Sequence, residues 1–374
     1  MKAGIIGATG YAGAELTRLL AGHPEIDSLV VSSVSFEGGL IEAVYPNFLG
    51  CISAQLVTAE AVTAAADVVF SALPHSAGEP YAKACIERGI HFIDLSADYR
   101  FDHDEATFSA WYGKPYTYPE LRSRSVYGLP ELNRQRIQEL ASSGPVIIGN
   151  PGCYPTGASL GAFPALALGL AAAPAVIIVD SASGVSGGGR EPSRSFHYPE
   201  CADSVSPYKV GSHRHTPEIA RNYAVMAARE GFPAPAVIFT PHLVPMNRGI
   251  LGTIYIPLSA EWQTGTPAER KTVRPPDKAI EDRTAQIRKL YAGFYKDEPF
   301  VRVLPAGVTA ASGRVRNSNY CDISVHLDQS GSTLIIVSAI DNMVKGAAGQ
   351  AIQNMNILQG FDERAGLGTI PALF

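Results

Sequence analysis

Three observations predict an α/β chain in two domains: a doubly wound parallel sheet, then an α+β domain on a mixed or antiparallel sheet. The first 150 residues alternate short apolar strand-like runs with helical stretches, the pattern of a parallel sheet whose crossovers are helices. Beyond residue 153 the strand-like runs lengthen and Pro/Gly-rich loops separate them. A chain of 374 residues also exceeds one ordinary core.

The elements follow in order. Lys2–Ile6 is a buried strand, and Gly7, Gly10 and Gly13 follow it at intervals of three before a helix over Ala12–Ala21. Glycine in such a turn lets the backbone approach a pyrophosphate at a helix N-terminus. Thr9 and Tyr11 lie in the same turn, and its place between a strand and a helix at the chain start supports a Rossmann-type nucleotide site. Ser28–Ser32 is the second strand. It ends in Ser32-Ser33 with no acidic residue to bind a ribose 2′-hydroxyl, and the hydroxyls of Ser32, Ser33 and Ser35 suit a 2′-phosphate, which favours NADP over NAD. Further strands are expected at Val68–Ala72, His91–Leu95 and Val146–Ile148, with a helix at Ala77–Arg88. The second domain should contain strands at 175–180, 236–239, 252–257, 322–327 and 333–340, and a surface excursion at the polar segment 261–278. An alanine-rich helix over Met343–Asn356 can pack back on the first domain. The expected division is 1–150 completed by 341–374, against 151–340.

Composition narrows the function. Hydrophobic residues at 46% and a net charge of −5 describe a globular protein without a basic footprint, which argues against nucleic acid or an anionic membrane as partner. Five scattered cysteines form no CxxC pair, so neither a disulfide framework nor a zinc site is indicated. With no apolar run of about 20 residues, and Met1 leading straight into a strand, a cytoplasmic protein acting on small molecules is expected.

Gly149-Asn150-Pro151-Gly152-Cys153-Tyr154-Pro155-Thr156 places Cys153 on a strand-to-helix turn. Apolar residues at Leu160, Phe163, Leu166 and Leu170 give a helical spacing that Pro164 interrupts. Unpaired N–H groups and the positive dipole end at a helix start favour a thiolate, and the same N–H groups can bind an oxyanion beside the sulfur. The bland alternative is a buried small hydrophobe. A proton-transfer partner is offered by His213-Arg214-His215, with Thr216 able to cap the helix that Pro217 opens. Either histidine fits, and a metal site lacks further ligands. The loop Ser181–Arg190, rich in glycine and hydroxyls, suits a phosphate or carboxylate or is a mobile solvent loop. Arg100, Lys209, Arg214 and Arg248 are other anion partners.

Together, Gly7-Ala-Thr-Gly-Tyr-Ala-Gly13, Asn150-Pro-Gly-Cys-Tyr-Pro-Thr156, Ser183-Gly-Val-Ser-Gly-Gly-Gly-Arg190, His213-Arg-His-Thr-Pro-Glu-Ile219 and Asp341-Asn-Met-Val-Lys-Gly-Ala-Ala-Gly-Gln350 span nearly the whole chain. In this order they resemble the N-acetyl-γ-glutamyl-phosphate reductase family of arginine biosynthesis. The resemblance implies NADP(H)-dependent reductive dephosphorylation of an acyl phosphate, and the two-domain architecture of the aspartate-semialdehyde dehydrogenases. It also implies a homo-oligomer, dimer or tetramer, with 151–340 as the catalytic and oligomerisation domain. On it Cys153 is the nucleophile and His215 the acid–base; Gly7, Thr9, Gly10, Tyr11, Gly13 and Asn342 bind cofactor, while Ser183, Gly184, Arg190, His213 and Arg214 are substrate-side candidates. The rivals are a related acyl-phosphate reductase (aspartyl or aminoadipate-type), a non-redox cysteine hydrolase or acyltransferase, and a non-catalytic NADP sensor.

Overall fold

The computed structural model describes residues 1–101, 104–264 and 277–373, so most of the polar segment 261–278 lies outside the described residues. The chain divides into two compact units. Unit 1 is Met1–Gly152 with Gly188–Glu191 and Met343–Ile370; unit 2 is Cys153–Gly187 with Pro192–Asn342 and the tail from Pro371.

In unit 1 a seven-stranded parallel sheet runs in the order β3-β2-β1-β4-β5-β7-β6. Its strands are β1 (Lys2–Ile6), β2 (Ser28–Ser32), β3 (Leu56–Val57), β4 (Val68–Ser71), β5 (His91–Asp94), β6 (Ser125–Tyr127) and β7 (Ile147–Gly149). The helices are α1 (Tyr11–Leu20), α2 (Ile41–Val44), α3 (Ala59–Ala65), α4 (Glu79–Glu87), α5 (Glu105–Tyr112) and α6 (Pro130–Ser142). Strands buried on both faces explain the apolar runs: Ile6, Val69, Phe92 and Ile147 join Val62 of α3 in one core. The strand order reverses between β1 and β4, so the crevice beyond their carboxyl ends is the expected ligand position. Ala3–Ile6 pairs with Val68–Ser71, which puts Gly7 beside Ala72 at that edge.

Unit 2 carries a mixed seven-stranded sheet, order β12-β13-β14-β11-β8-β10-β9. These are β8 (Val176–Ser183), β9 (Ser206–Pro207), β10 (Ala236–Leu243), β11 (Ile250–Pro257), β12 (Val301–Val303), β13 (Cys321–Leu327) and β14 (Thr333–Ile340). Helices α7 (Cys153–Ala167), α8 (Tyr198–Cys201), α9 (Thr216–Arg229) and α10 (Asp277–Phe294) complete it. Gly161 brings α7 close to the sheet: a Cβ there would lie 2.4 Å from Ile254 Cδ1.

Three local expectations need correction. Pro164 does not interrupt α7, which is continuous through it. Pro164 lacks the N–H that the Leu160 carbonyl would accept, and the Tyr295 hydroxyl donates to that carbonyl instead. Thr216 does not cap α9: it is the first helical residue, and His215 occupies the cap position without a side-chain cap. The last helix is also not uniform, since a π-type turn at Val344–Ala348 precedes α11 (Gly349–Gln359).

The returning segment belongs to unit 1 through buried polar contacts. Asn354 Nδ2 donates to Gly128 O at 2.8 Å, and Lys345 Nζ meets Glu131 Oε1 at 2.7 Å.

Candidate active site

The first βα turn of unit 1 is shaped for a dinucleotide. Gly7 adopts φ +84, where side chains are strained, and a Cβ there would lie 2.8 Å from Ala72 O. A Cβ on Gly13 would lie 2.2 Å from Gly7 O, so both glycines are required by close packing of turn, strand and helix. Gly10 differs: a Cβ there would meet only Gly7 O, at 3.6 Å, and no side chain caps α1, which leaves its first amide groups available to a small anion. An uncapped ten-residue helix behind this cradle fits a nicotinamide dinucleotide's pyrophosphate. Thr9 Oγ1 and Ser33 Oγ are 2.7 Å apart, and Ser32 and Ser33 are both buried, while Ser35 is exposed. Tyr11 is the first residue of α1 and is half-exposed.

Arg190 is placed differently from the substrate-side position expected of it. Its Nη1 donates to Thr9 O at 2.9 Å, and its guanidinium carbon lies 5.4 Å and 5.1 Å from the Phe36 and Tyr45 ring centroids.

The strand leading to Cys153 is closely packed. A Cβ on Gly149 would lie 2.1 Å from Tyr99 O, and Arg100 Nε donates to Asn150 O at 2.8 Å. Arg100 is buried, and its Nη2 donates to Leu95 O at 2.8 Å.

In unit 2 Cys153 opens α7 and is partly exposed. The next residue, Tyr154, is edge-on to both His213 and His215, with ring centroids 5.6 and 5.9 Å away. The two imidazoles are 4.9 Å apart, and Phe239 and Tyr208 close the box around His213 at 5.4 and 5.5 Å. The Tyr154 and Tyr208 hydroxyls are 2.9 Å apart. Burial pushes the Tyr208 phenol up to about 12, with the Cys153 charge adding to the rise. Burial, with the charges of Lys209 and Arg214, pushes His213 down to about 4. His213 Nδ1 accepts the His215 backbone N–H at 3.1 Å.

The glycine-rich loop is tethered within the unit. Gly184 N donates to Gly249 O at 2.9 Å, and a Cβ on Gly184 would lie 2.6 Å from Asn247 O. Ser183 is buried beside it and donates to Gly184 O. Asn342 holds this loop from both ends of its amide: Nδ2 donates to Ser186 Oγ at 3.0 Å and Oδ1 accepts from Gly249 N at 2.7 Å. Arg248 pairs with Asp341 at 3.4 Å and Asn317 at 2.9 Å. Arg214 and Lys209 are exposed. Sequence reasoning missed Tyr208 and Phe239, which reach His213 only through folding. Among the described residues no cluster of His, Cys, Asp and Glu could hold a metal ion, and no helix is long and apolar enough to cross a membrane.

Comparisons with known proteins match this layout. The family model "Semialdehyde dehydrogenase, NAD binding domain" matches residues 2–140, and "Semialdehyde dehydrogenase, dimerisation domain" matches 153–342. A protein named N-acetyl-gamma-glutamyl-phosphate reductase from Clostridium beijerinckii is 47% identical over 100% of both chains. One of the same name from Brachyspira hyodysenteriae is 44% identical, again over 100% of each. Among solved structures, aspartate semialdehyde dehydrogenase II from Vibrio cholerae, complexed with ASA, shares the fold with TM-score 0.69 at 15% identity, covering 96% of this chain and 98% of that one. Aspartate semialdehyde dehydrogenase with NADP from Candida albicans does so with TM-score 0.63 at 19% identity and the same coverage.

Proposed function

The chain belongs to the N-acetyl-γ-glutamyl-phosphate reductase family of semialdehyde dehydrogenases, and from that premise we propose how its residues perform the family's reaction. The reaction is reduction of N-acetyl-L-glutamyl 5-phosphate with NADPH to N-acetyl-L-glutamate 5-semialdehyde and phosphate, a step of arginine biosynthesis. The observation that carries the residue assignment is Tyr154, which directly follows Cys153 at the start of α7 and packs edge-on against both histidines.

Cys153 begins as a thiolate favoured by the helix N-terminus. Its sulfur attacks the acyl carbon, amide groups at the helix start stabilise the oxyanion, and the C–O bond to phosphate breaks to leave a thioester. The turn of Gly7, Thr9, Gly10, Tyr11 and Gly13 would hold the nicotinamide cofactor, whose chemistry would be the supply of a hydride for reduction of the thioester. His215 donates a proton to the oxyanion of the reduced adduct and takes it back as the C–S bond breaks, so that the aldehyde is released and the thiolate regenerated with no net proton used. His213, kept neutral by burial, orients the His215 backbone and presents its imidazole to the substrate. Ser183, Gly184 and Arg214 are the proposed anion-binding groups of this unit, and Asn342 acts through the loop it holds.

The protein works in the cytoplasm as a homodimer or tetramer in this reading. Support comes from Val176, Ile178 and Ile238, exposed together on one face of the β8–β10 pair.

The test follows nicotinamide absorbance in the reverse direction. Phosphate-dependent NADPH formation is expected with N-acetylglutamate semialdehyde and not with aspartate semialdehyde. Cys153→Ser is expected to lower the rate by roughly three orders of magnitude or more, the scale of losing a nucleophile. Undiminished turnover of that variant would remove Cys153 from the role, and turnover with aspartate semialdehyde alone would change the substrate.

A further inference from the structure

The end of β2 poses a recognition problem. A ribose 2′-hydroxyl is ordinarily bound there by an acidic side chain, and a 2′-phosphate is accommodated by a nearby arginine. Residues Ser28 to Phe36 contain neither an acidic residue nor an arginine. Of the three hydroxyls expected to substitute, Ser32 and Ser33 are buried, with the Ser33 hydroxyl bonded to Thr9, which leaves Ser35 exposed but without a cation of its own segment beside it.

A guanidinium nevertheless stands at this edge, supplied by a residue more than 150 positions later in the chain. Arg190 lies within the short stretch Gly188–Glu191 that joins unit 1. Its Nη1 donates to the Thr9 carbonyl at 2.9 Å, and the Tyr45 hydroxyl donates to the same oxygen at 2.9 Å. The rings of Phe36 and Tyr45, both on the segment following β2, flank its guanidinium at 5.4 and 5.1 Å. Arg190 is exposed, so the charge is held in place without being hidden from solvent. The Thr9 contact engages one of five guanidinium donors, and the two ring contacts limit the side chain's freedom. A planar cation restrained this way loses little entropy when it forms a forked pair with a phosphate. The neighbouring Gly189, at φ +85, carries the chain through a bend that side chains rarely adopt.

We infer that Arg190, seated on Thr9 between Phe36 and Tyr45, is the residue that reads the 2′-phosphate of the cofactor's adenosine ribose and sets the preference for NADP(H) over NAD(H). The inference rests on the reading that the chain uses NADP(H). It moves Arg190 from the substrate side of the reaction to cofactor selection.

Calorimetric titration with two cofactor fragments tests it. Adenosine 2′,5′-bisphosphate carries the 2′-phosphate; ADP carries the 5′-pyrophosphate without it. Arg190→Ala is expected to weaken binding of the 2′,5′-bisphosphate by about ten- to a hundredfold, the scale of a charge-assisted pair, and to leave ADP affinity within about twofold. Arg190→Lys, which keeps the charge without the fork, should fall between. Steady-state kinetics should show a raised KM for NADP with kcat and the NAD parameters little changed. Equal weakening of both fragments would assign Arg190 to the pyrophosphate and overturn the inference, as would unchanged binding of both. Failure of the wild-type protein to bind the 2′,5′-bisphosphate while binding ADP would overturn the NADP reading itself, and this inference with it.

Discussion

At the residue scale, the surroundings of His213 set its protonation state. Its ring is boxed by Tyr154, Tyr208 and Phe239, and burial, helped by Lys209 and Arg214, pushes its pKa down to about 4. An unfolded histidine titrates near 6.5. Between these values the unfolded chain binds a proton that the folded chain does not, so stability rises with pH across the window. The contribution from a neutral His213 is complete above about 6.5 and is lost as pH falls toward about 4. Denaturant unfolding of the wild type at a series of pH values should show this slope, and His213→Asn should reduce it by one proton's worth. An identical slope in the variant would mean that His213 is not held neutral. The same residue marks a limit of sequence reading. The place of Cys153 at a helix start was legible because its signal is local, a strand, a Gly-Pro-rich turn and a helix start in succession. The aromatic box around His213 draws Tyr154 and Phe239 from distant segments and Tyr208 from five residues upstream, so periodicity and spacing carry no trace of it.

At the scale of elements, α7 shows how a helix carrying a proline can stay continuous. Pro164 removes the hydrogen bond that Leu160 O would accept, and Tyr295, immediately after α10, fills the vacancy with its hydroxyl. One turn along, Tyr291 donates to Gly161 O at 3.1 Å. Tyr295→Phe keeps the ring and leaves the buried carbonyl unpaired, so it should cost about 1–3 kcal/mol. Chemical denaturation measures this directly, and an unchanged midpoint would show that the helix repairs itself at Pro164 by another route. Reading the proline as a break was reasonable from local chemistry, because the compensating donor lies some 130 residues away. Strands were more legible: Lys2–Ile6, Ser28–Ser32 and Thr333–Ile340 were read with their observed limits, since each carries a compact run of branched apolar residues bounded by polar ones or glycine. Helices α6 and α10 escaped notice for the opposite reason. Leu132, Ile137 and Leu140 are the main inward apolar positions of α6, and only Ile287 and Tyr291 are fully buried on α10, so polar residues dilute the period.

At the scale of the whole molecule, the chain does not finish unit 1 in its first part; it leaves at Gly152, rejoins briefly at Gly188–Glu191 and returns at Met343. The alanine-rich texture of that last segment announced a helix, but not what holds it. Lys345 and Glu131 are both fully buried and meet at 2.7 Å, and Gln353 Oε1 accepts from the same ammonium at 2.8 Å. Gln353 in turn donates to Glu363 at 3.0 Å, and Glu363 pairs with Arg134 of α6 at 2.6 Å. These contacts bind the returning segment to α6, so folding of the nucleotide-binding unit requires both distant parts of the chain. A buried pair is weak as a source of net stability, because desolvation offsets attraction, but removing one partner strands the other charge. Lys345→Met should therefore destabilise unit 1 by about 3–5 kcal/mol, seen as a lower urea midpoint and as weaker NADP binding under mild denaturant. Combining it with Glu131→Leu removes the stranded carboxylate and should recover much of the loss. If the single variant unfolds at the wild-type midpoint, the returning segment is held by its apolar contacts alone; if the double variant is no better than the single, the damage comes from lost packing and not from an unpaired charge.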